Sequence, residues 1–459
     1  MDYLSLCLYV KDEDEDYLHE WVDYHTLLGV ERFFIYDNES RVSVREILAE
    51  EVAGGRVIVI DAPGTSGQQT VYAHCLHYFG AHTRWLGFID ADEFIVPKTT
   101  TDVRTFLTDY EGYGGLGIHW VIFGSSGHIE KPVGTQIENY TLAAPPDFQP
   151  NHSIKSIVQT QYAVYPARVH YFFYRAGYYV INEDYVQVIG FEIPRVVNKI
   201  QLNHYFTRSQ EHFEIKIKRG QSANEPPRTM NDFYAYDNPS KIKDNHIINL
   251  TEKILQGENI NLLHLSASIV PLPPKIDFTA PSFSGTTHTQ IEARILEEIV
   301  RAAIKNNDLA VLTTIYDVAT WRFSSAIWSI DWFIQTVNIL WDYCIKMDTY
   351  DNAMRFLNKA ISQNPEEPSF QMRYALYLHA NGDLNGAGTV LKAVLSRNSR
   401  DMDALVSLGK LCYDKGNLDE ALNYLKAALD INPTDQDVQD GLAMVIRMKE
   451  RREYQGRVN

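Results

Sequence analysis

The chain has 459 residues, too many for one core, and its 45% hydrophobic and 22% charged content is ordinary for a globular protein of two or three domains. A net charge of −17 argues against nucleic acid and anionic membrane surfaces as partners. No stretch approaches the ~20 uninterrupted apolar residues of a membrane span, and Asp2 with no cationic lead-in does not read as a secretory signal.

SLCLYV (5–10) predicts a first strand, and residues 15–28 then place Leu18, Trp21, Val22, His25 and Leu28 at helical spacing, stopping at Gly29. RFFIYD (32–37) is a second strand closed by Asn38 and Ser40. Residues 44–53 suit a helix ending at Gly54-Gly55, RVIVID (56–61) a third strand, and 68–82 another helix. This rhythm predicts an α/β domain with a mainly parallel, Rossmann-like sheet flanked by helices. Ligands of such sheets bind beyond the carboxyl ends of the strands. Lys11-Asp12-Glu13, Asp37-Asn38, Asp61 and Asp90 to Asp92 all fall at such ends.

WLGFIDADEFIVP (85–97) is the most telling segment, because three acids interrupt two apolar runs and a carboxylate leaves water only with a partner. Strand alternation would point Asp90 and Asp92 the same way, and two hard oxygens on one side suit a divalent cation that also holds a phosphate. A helix cap or a solvated loop is the plainer explanation of such a pair.

Residues 102–264 parse less cleanly. A helix near 102–110 precedes LGIHWVIFG (116–124) and the turn GSSG, aromatic strands run from 157 to 206, and 211–219 predicts a helix. Residues 266–290, with Pro271, Pro273, Pro274 and Pro281, read as a linker. Residues 291–332 then predict a helical connector. From 333 to 434 three repeats keep phase at a 34-residue period: Ala353, Ala387 and Ala421 form one column, Phe356, Val390 and Tyr424 another. That is the signature of a tetratricopeptide (TPR) solenoid, all α, with 435–459 as its capping helix and tail. Cys344 and Cys412 share a column as packing residues, and Cys7 and Cys75 sit in core patterns with no metal spacing. Reduced thiols favour the cytoplasm.

The opening CLYVKDEDEDYLHEWVDYHTLLGVERFFIYDNES resembles the start of glycosyltransferase family 92 and of related family-2-like transferases. The resemblance rests on Lys11, Asp12, Glu13, Glu20-Trp21, His25, Tyr36, Asp37, Asn38 and Ser40. It continues through the DxDEF at 90–94, FGSSGH, HSIKSIV and NHYFTRSQEHFEIKIKRG, over about 1–265. It implies a GT-A fold, a nucleotide-sugar donor (a UDP-sugar), Mn²⁺ or Mg²⁺, inversion at the anomeric carbon and a glycan or glycoprotein acceptor. On that basis Asp92 ligates the metal, Asp90 ligates it or contacts the ribose, and His204 is the third ligand, unless His204 is merely a satisfied strand histidine. Asp37, Asn38, Lys11 and Glu13 would line the donor pocket, with Lys155, Lys216 and Arg219 as phosphate contacts; Lys11 to Glu13 could equally be a helix-start cluster. Glu211 is the preferred base, with a helix-cap acid as its plainer explanation, and Asp232, Glu130 and the non-carboxylate His128 are the alternatives. Two rivals remain: a nucleotidyltransferase, which would usually carry a glycine-rich loop with a lysine after the first strand, and a non-catalytic TPR scaffold with a relic transferase domain. The repeats imply a protein or peptide partner in their groove.

Overall fold

The computed structural model describes residues 1–64, 67–189, 195–220, 227–256, 290–306, 308–322, 331–346 and 350–458. It divides into two units, Met1–Arg322 and Phe323–Asn459.

The strands of the first unit are β1 (Asp2–Val10), β2 (Arg32–Asp37), β3 (Val57–Asp61), β4 (Thr83–Phe88), β5 (Glu93–Pro97), β6 (Gly115–Ile122), β7 (Leu142–Ala143), β8 (Ile154–Gln159), β9 (Ala163–Pro166), β10 (Phe172–Tyr174), β11 (Val180–Ile181), β12 (Ile200–His204) and β13 (Ile242–Lys243). Among the described residues nine of them form one sheet in the order β3-β2-β1-β4-β8-β6-β12-β5, with β11 beside β6. The β3, β2, β1 and β4 neighbours are parallel, as the alternating rhythm requires. The other half is mixed, since β8 runs antiparallel to both β4 and β6, and β12 antiparallel to β5. β2 is buried along its whole length, which fits a strand covered on both faces.

The flanking helices are α1 (Glu15–Leu27), α2 (Val44–Ile47), α3 (Ala49–Ala53), α4 (Gln68–Phe79), α5 (Val103–Leu107), α6 (Gln136–Asn139), α7 (Gln210–Arg219), α8 (Met230–Asp237), α9 (His246–Gln256), α10 (Gln290–Lys305) and α11 (Leu309–Arg322). The single helix expected over 44–53 breaks at Leu48, whose φ −102° and ψ 40° lie outside the helical range. Buried side chains clamp α1 onto β5. Trp21 Nε1 donates to Glu93 O at 2.9 Å, Tyr24 Oη donates to Ile95 O at 2.7 Å, and His25 Nε2 accepts the Ile95 N–H at 3.3 Å. This holds the DxDEF segment rigidly against the first helix. Within the same unit α10 packs on α4, where His77 Nε2 lies 3.0 Å from Glu298 Oε2. The linker expected at 266–290 lies outside the described residues except for its last position.

The second unit continues with α12 (Asp331–Lys346), α13 (Tyr350–Gln363), α14 (Pro368–Ala380), α15 (Leu384–Arg397), α16 (Met402–Asp414), α17 (Leu418–Leu429) and α18 (Gln436–Val458). Ala353, Ala387 and Ala421 are fully buried at the helix crossings, where only a small side chain lets backbones approach. Gly409 shows the same constraint, because a Cβ there would lie 2.7 Å from Leu425 Cγ. Among the described residues no helix is long and apolar enough to cross a membrane.

Candidate active site

The carboxyl ends of the strands open onto a cavity of about 180 Å³ lined by Asp12, Glu13, Asp14, Arg41, Asp92, Phe206, Thr207, Arg208, His212, Ile215, Lys216 and Arg219. Four pieces of chain supply it: the β1–α1 connection, Arg41 in the β2–α2 connection, the turn after β4, and the β12–α7 connection with the inner face of α7. Four acids thus confront four cations, the cations coming from α7, its approach and Arg41. Asp12 and Arg208 hold left-handed φ angles of 48° and 51° on the cavity wall. Side chains with a Cβ reach that region at a cost of about 1–3 kcal/mol each, and such strain concentrates at functional sites.

Arg208 organises one wall. Its guanidinium donates to Glu13 Oε1, to Gln136 Oε1 at 3.1 Å and to Ala91 O at 3.1 Å, and it stands 4.8 Å from the centre of the Tyr17 ring. Arg219 Nη1 reaches Lys11 O at 2.7 Å and lies 3.6 Å from Glu13 Oε2. Burial alone would raise the Glu13 carboxyl, but Arg208 and then Arg219 outweigh it and hold it below its ordinary value.

Asp92 faces the cavity from the other wall. Its Oδ2 accepts from Lys216 Nζ at 2.7 Å, and its Oδ1 lies 3.5 Å from His204 Nε2. Burial opposes ionisation of Asp92, yet Lys216 and His204 keep the carboxyl well below the usual carboxylate range. Behind Asp92, Glu93 is fully buried and burial pushes it up to about 8, against the pull of Lys155. Among the described residues neither Glu93 Oε1 nor His204 Nδ1 has a hydrogen-bond partner, and the two lie 3.9 Å apart.

The structure separates the expected residues into three groups. Glu13, Asp92, Lys216 and Arg219 meet at the cavity. Asp90, Lys155 and His204 form a second layer that does not line it. The strand end expected at Asp90 and Asp92 is corrected, because residues 89–92 are a turn, closed by Glu93 N to Asp90 O at 3.0 Å. The two carboxylates take different cations, Lys155 for Asp90 and Lys216 for Asp92. Asp90 Oδ2 accepts from Lys155 Nζ at 2.8 Å and its Oδ1 from Gln68 Nε2, so both oxygens expected for a metal are engaged elsewhere. Lys155 is 1% exposed and points at Asp90 and Glu93 rather than at a phosphate site.

Lys11, Asp37, Asn38, Glu211 and Asp232 do not line the cavity. Asp37 accepts from the backbone N–H groups of Ser40 and Val44 and so ties down the segment that starts α2. Asn38 N donates to Val10 O at 2.8 Å. Glu211, the expected base, accepts from Lys131 N at 2.8 Å on the surface. Asp232 closes a capping box with Thr229 at the start of α8. Trp120 packs against His204 and His170 and does not line the cavity.

Sequence reading missed Arg208, Arg41, Asp14 and His212. Arg208 follows the carboxyl end of β12, so the rule that found the acids would have found it had cations been sought there too.

Asp92 Oδ1 and His204 are a partial fit to a hard divalent cation, which commonly takes one or two protein ligands and completes its shell with phosphates and water. Among the described residues no group of three His, Cys, Asp or Glu could hold a metal unaided.

Residues 2–171 match the family model described as Glycosyltransferase family 92, and residues 378–445 that of the tetratricopeptide repeat. Residues 2–171 are thus similar to a glycosyltransferase family 92 domain. A family 92 protein of Ricinus communis is 30% identical over 217 residues, 44% of this chain and 35% of the relative. One from Oryza sativa subsp. japonica is 31% identical over 223 residues, 47% of this chain and 35% of the relative. The chain therefore spans about a third of the length of these relatives. One from Arabidopsis thaliana is 37% identical over 82 residues, 17% of this chain and 14% of the relative. The solved MamA crystal structure is similar over 35% of this chain and 84% of its own, at 14% identity and a TM-score of 0.29. The matched span contributes Glu13 and Asp92, while Arg208 and α7 lie beyond residue 171.

Proposed function

We propose that the family 92 domain transfers a glycosyl group from a nucleotide-sugar, with a UDP-sugar as the donor class, to a hydroxyl of a glycan or glycoprotein, inverting the anomeric carbon. The observation that carries this reading is the cavity at the strand ends, where Arg208, Lys216 and Arg219 face Glu13 and Asp92. Cleavage of the anomeric C–O bond leaves charge on a diphosphate, and fixed cations aimed at that charge lower the barrier. Arg208 and Arg219 are pre-positioned for this, since each is already oriented by backbone carbonyls. Mn²⁺ or Mg²⁺ held by Asp92 and His204 would add neutralisation of the same leaving group. The acceptor hydroxyl needs a proton acceptor. Asp12, Glu13, Asp14 and Asp92, which reach the cavity wall, replace Glu211 and Asp232 as the pool from which it is drawn.

The repeats of the second unit suit docking of a protein or peptide, because stacked helix pairs create a continuous concave surface. All four cysteines are buried and none is in a disulfide, which supports a reducing compartment such as the cytoplasm.

Calorimetric titration with UDP, with and without Mn²⁺, tests the reading. Metal-dependent UDP binding is the expected result. Preference for a nucleoside triphosphate would favour nucleotidyl transfer, and absence of any nucleotide binding would leave a scaffold. A screen of nucleotide-sugar hydrolysis with Mn²⁺ then identifies the donor.

A further inference from the structure

We propose that Lys216 and a divalent cation compete for Asp92, so that the protein takes up the metal only together with a nucleoside diphosphate. This rests on the donor-site reading above and concerns how that site is regulated.

Lys216 reaches in from α7, and its ammonium is held at two oxygens, 2.7 Å from Asp92 Oδ2 and 3.0 Å from Phe206 O, with the Phe206 ring centre 4.7 Å away. Its side chain is 16% exposed and that of Asp92 is 13%. In so sheltered a place, separating the ammonium from the carboxylate leaves two uncompensated charges. Only Asp92 Oδ1 is left for another cation, and it faces His204 Nε2 at 3.5 Å. A divalent cation arriving alone must share the carboxylate with an ammonium or expel it, and the other three acids lining the cavity already hold cations. Glu13 holds Arg208 and Arg219, Asp12 holds Arg41, and Asp14 holds Lys131.

A diphosphate changes this balance. Its oxygens offer Lys216 a new anionic partner beside Arg208 and Arg219, which line the same cavity. Movement of the ammonium onto phosphate frees Asp92 Oδ2 as the cation arrives, and the metal charge offsets the phosphate charge. Metal and nucleotide each remove the obstacle to the other, and such coupling must be reciprocal. Lys216 therefore acts as a built-in counter-ion that keeps metal affinity low until the donor is present.

The test is Mn²⁺ binding by the full chain, read by electron paramagnetic resonance and corrected for Mn²⁺ held by UDP in solution. In wild type, saturating UDP should tighten Mn²⁺ binding about tenfold or more, within the usual range of such couplings. Lys216→Met should tighten nucleotide-free Mn²⁺ binding about tenfold and cut the UDP effect to about twofold, whereas Lys216→Arg should keep the coupling. Equal Mn²⁺ affinity with and without UDP in wild type, or unchanged nucleotide-free affinity in Lys216→Met, overturns the proposal. If Lys216→Met does not fold, wild type and Lys216→Arg decide, and loss of coupling in Lys216→Arg counts against the proposal. Uncoupled binding of both ligands would sink the lysine competition alone; binding of neither sinks the donor-site reading as well.

Discussion

Arg208→Met puts the organisation of the cavity wall to a quantitative test. The variant keeps an aliphatic stem against Tyr17 but deletes a guanidinium that is 7% exposed and bonded to Glu13, Gln136 and Ala91. Breaking a buried ion pair from one side typically costs ~3–5 kcal/mol, because the abandoned charge stays desolvated. Glu13 keeps Arg219 at 3.6 Å, which limits that part to about 3 kcal/mol. Two further acceptors lose their donors at ~1 kcal/mol each, for a total of ~4–5 kcal/mol. Against a usual domain stability of ~5–15 kcal/mol this is a large fraction. Urea unfolding followed by the fluorescence of the buried Trp21 and Trp85 should show it. Adding Glu13→Gln removes the stranded charge and should restore ~1–3 kcal/mol. The pH dependence has a definite sign: with its pKa lowered in the fold, Glu13 contributes stability above the ordinary glutamate value, and this is lost as pH falls through the folded pKa. That acid-side loss should shrink in Arg208→Met. An unchanged midpoint at pH 7, or a double variant no more stable than the single one, would refute the argument.

Asp92→Asn should abolish Mn²⁺-dependent UDP binding with the near-ultraviolet dichroism retained; persistent binding would remove Asp92 from the metal site. His25 is buried with its Nδ1 2.8 Å from Trp21 O, and burial pulls its pKa down to about 3. The unfolded chain takes up that proton near pH 6.5 and the folded chain does not, so stability is complete above 6.5 and falls below it by ~2 kcal/mol by pH 5. His25→Gln should reduce the slope of unfolding free energy against pH by about one proton across that window, and an unaltered slope contradicts the assignment. Gly409→Val should lower the unfolding transition of the second unit by ~1–3 kcal/mol through overpacking on Leu425, while UDP binding stays at the wild-type level. Loss of UDP binding in that variant would contradict the assignment of donor binding to the first unit alone.

The elements that were legible beforehand are those specified by short-range periodicity. The helix at 15–28, the strands at 32–37 and 56–61 and the parallel half of the sheet are present because each carries its own apolar spacing and its own stop signal. The repeats were legible because one packing problem is solved again every 34 residues. The DxD was found for a sound reason, the cost of burying acids, but the strand end expected at residues 89–92 is a turn. Whether residues 89–92 continue a strand or turn depends on β5 leaving β4 to pair with β12, a contact across more than a hundred residues that no local pattern encodes.

The sequence by itself determined which segments become helices, strands and repeats, and which residues carry charge to the strand ends, since propensity, periodicity and desolvation cost act within a few residues. Only the tertiary structure decided which of those charges share a cavity. Arg208 and Lys216 find Glu13 and Asp92 from far along the chain because β12 joins the sheet between β6 and β5, bringing the α7 cations over the turn that follows β4. Coulomb attraction and burial depend on distance in space, and for these pairs the fold alone sets that distance.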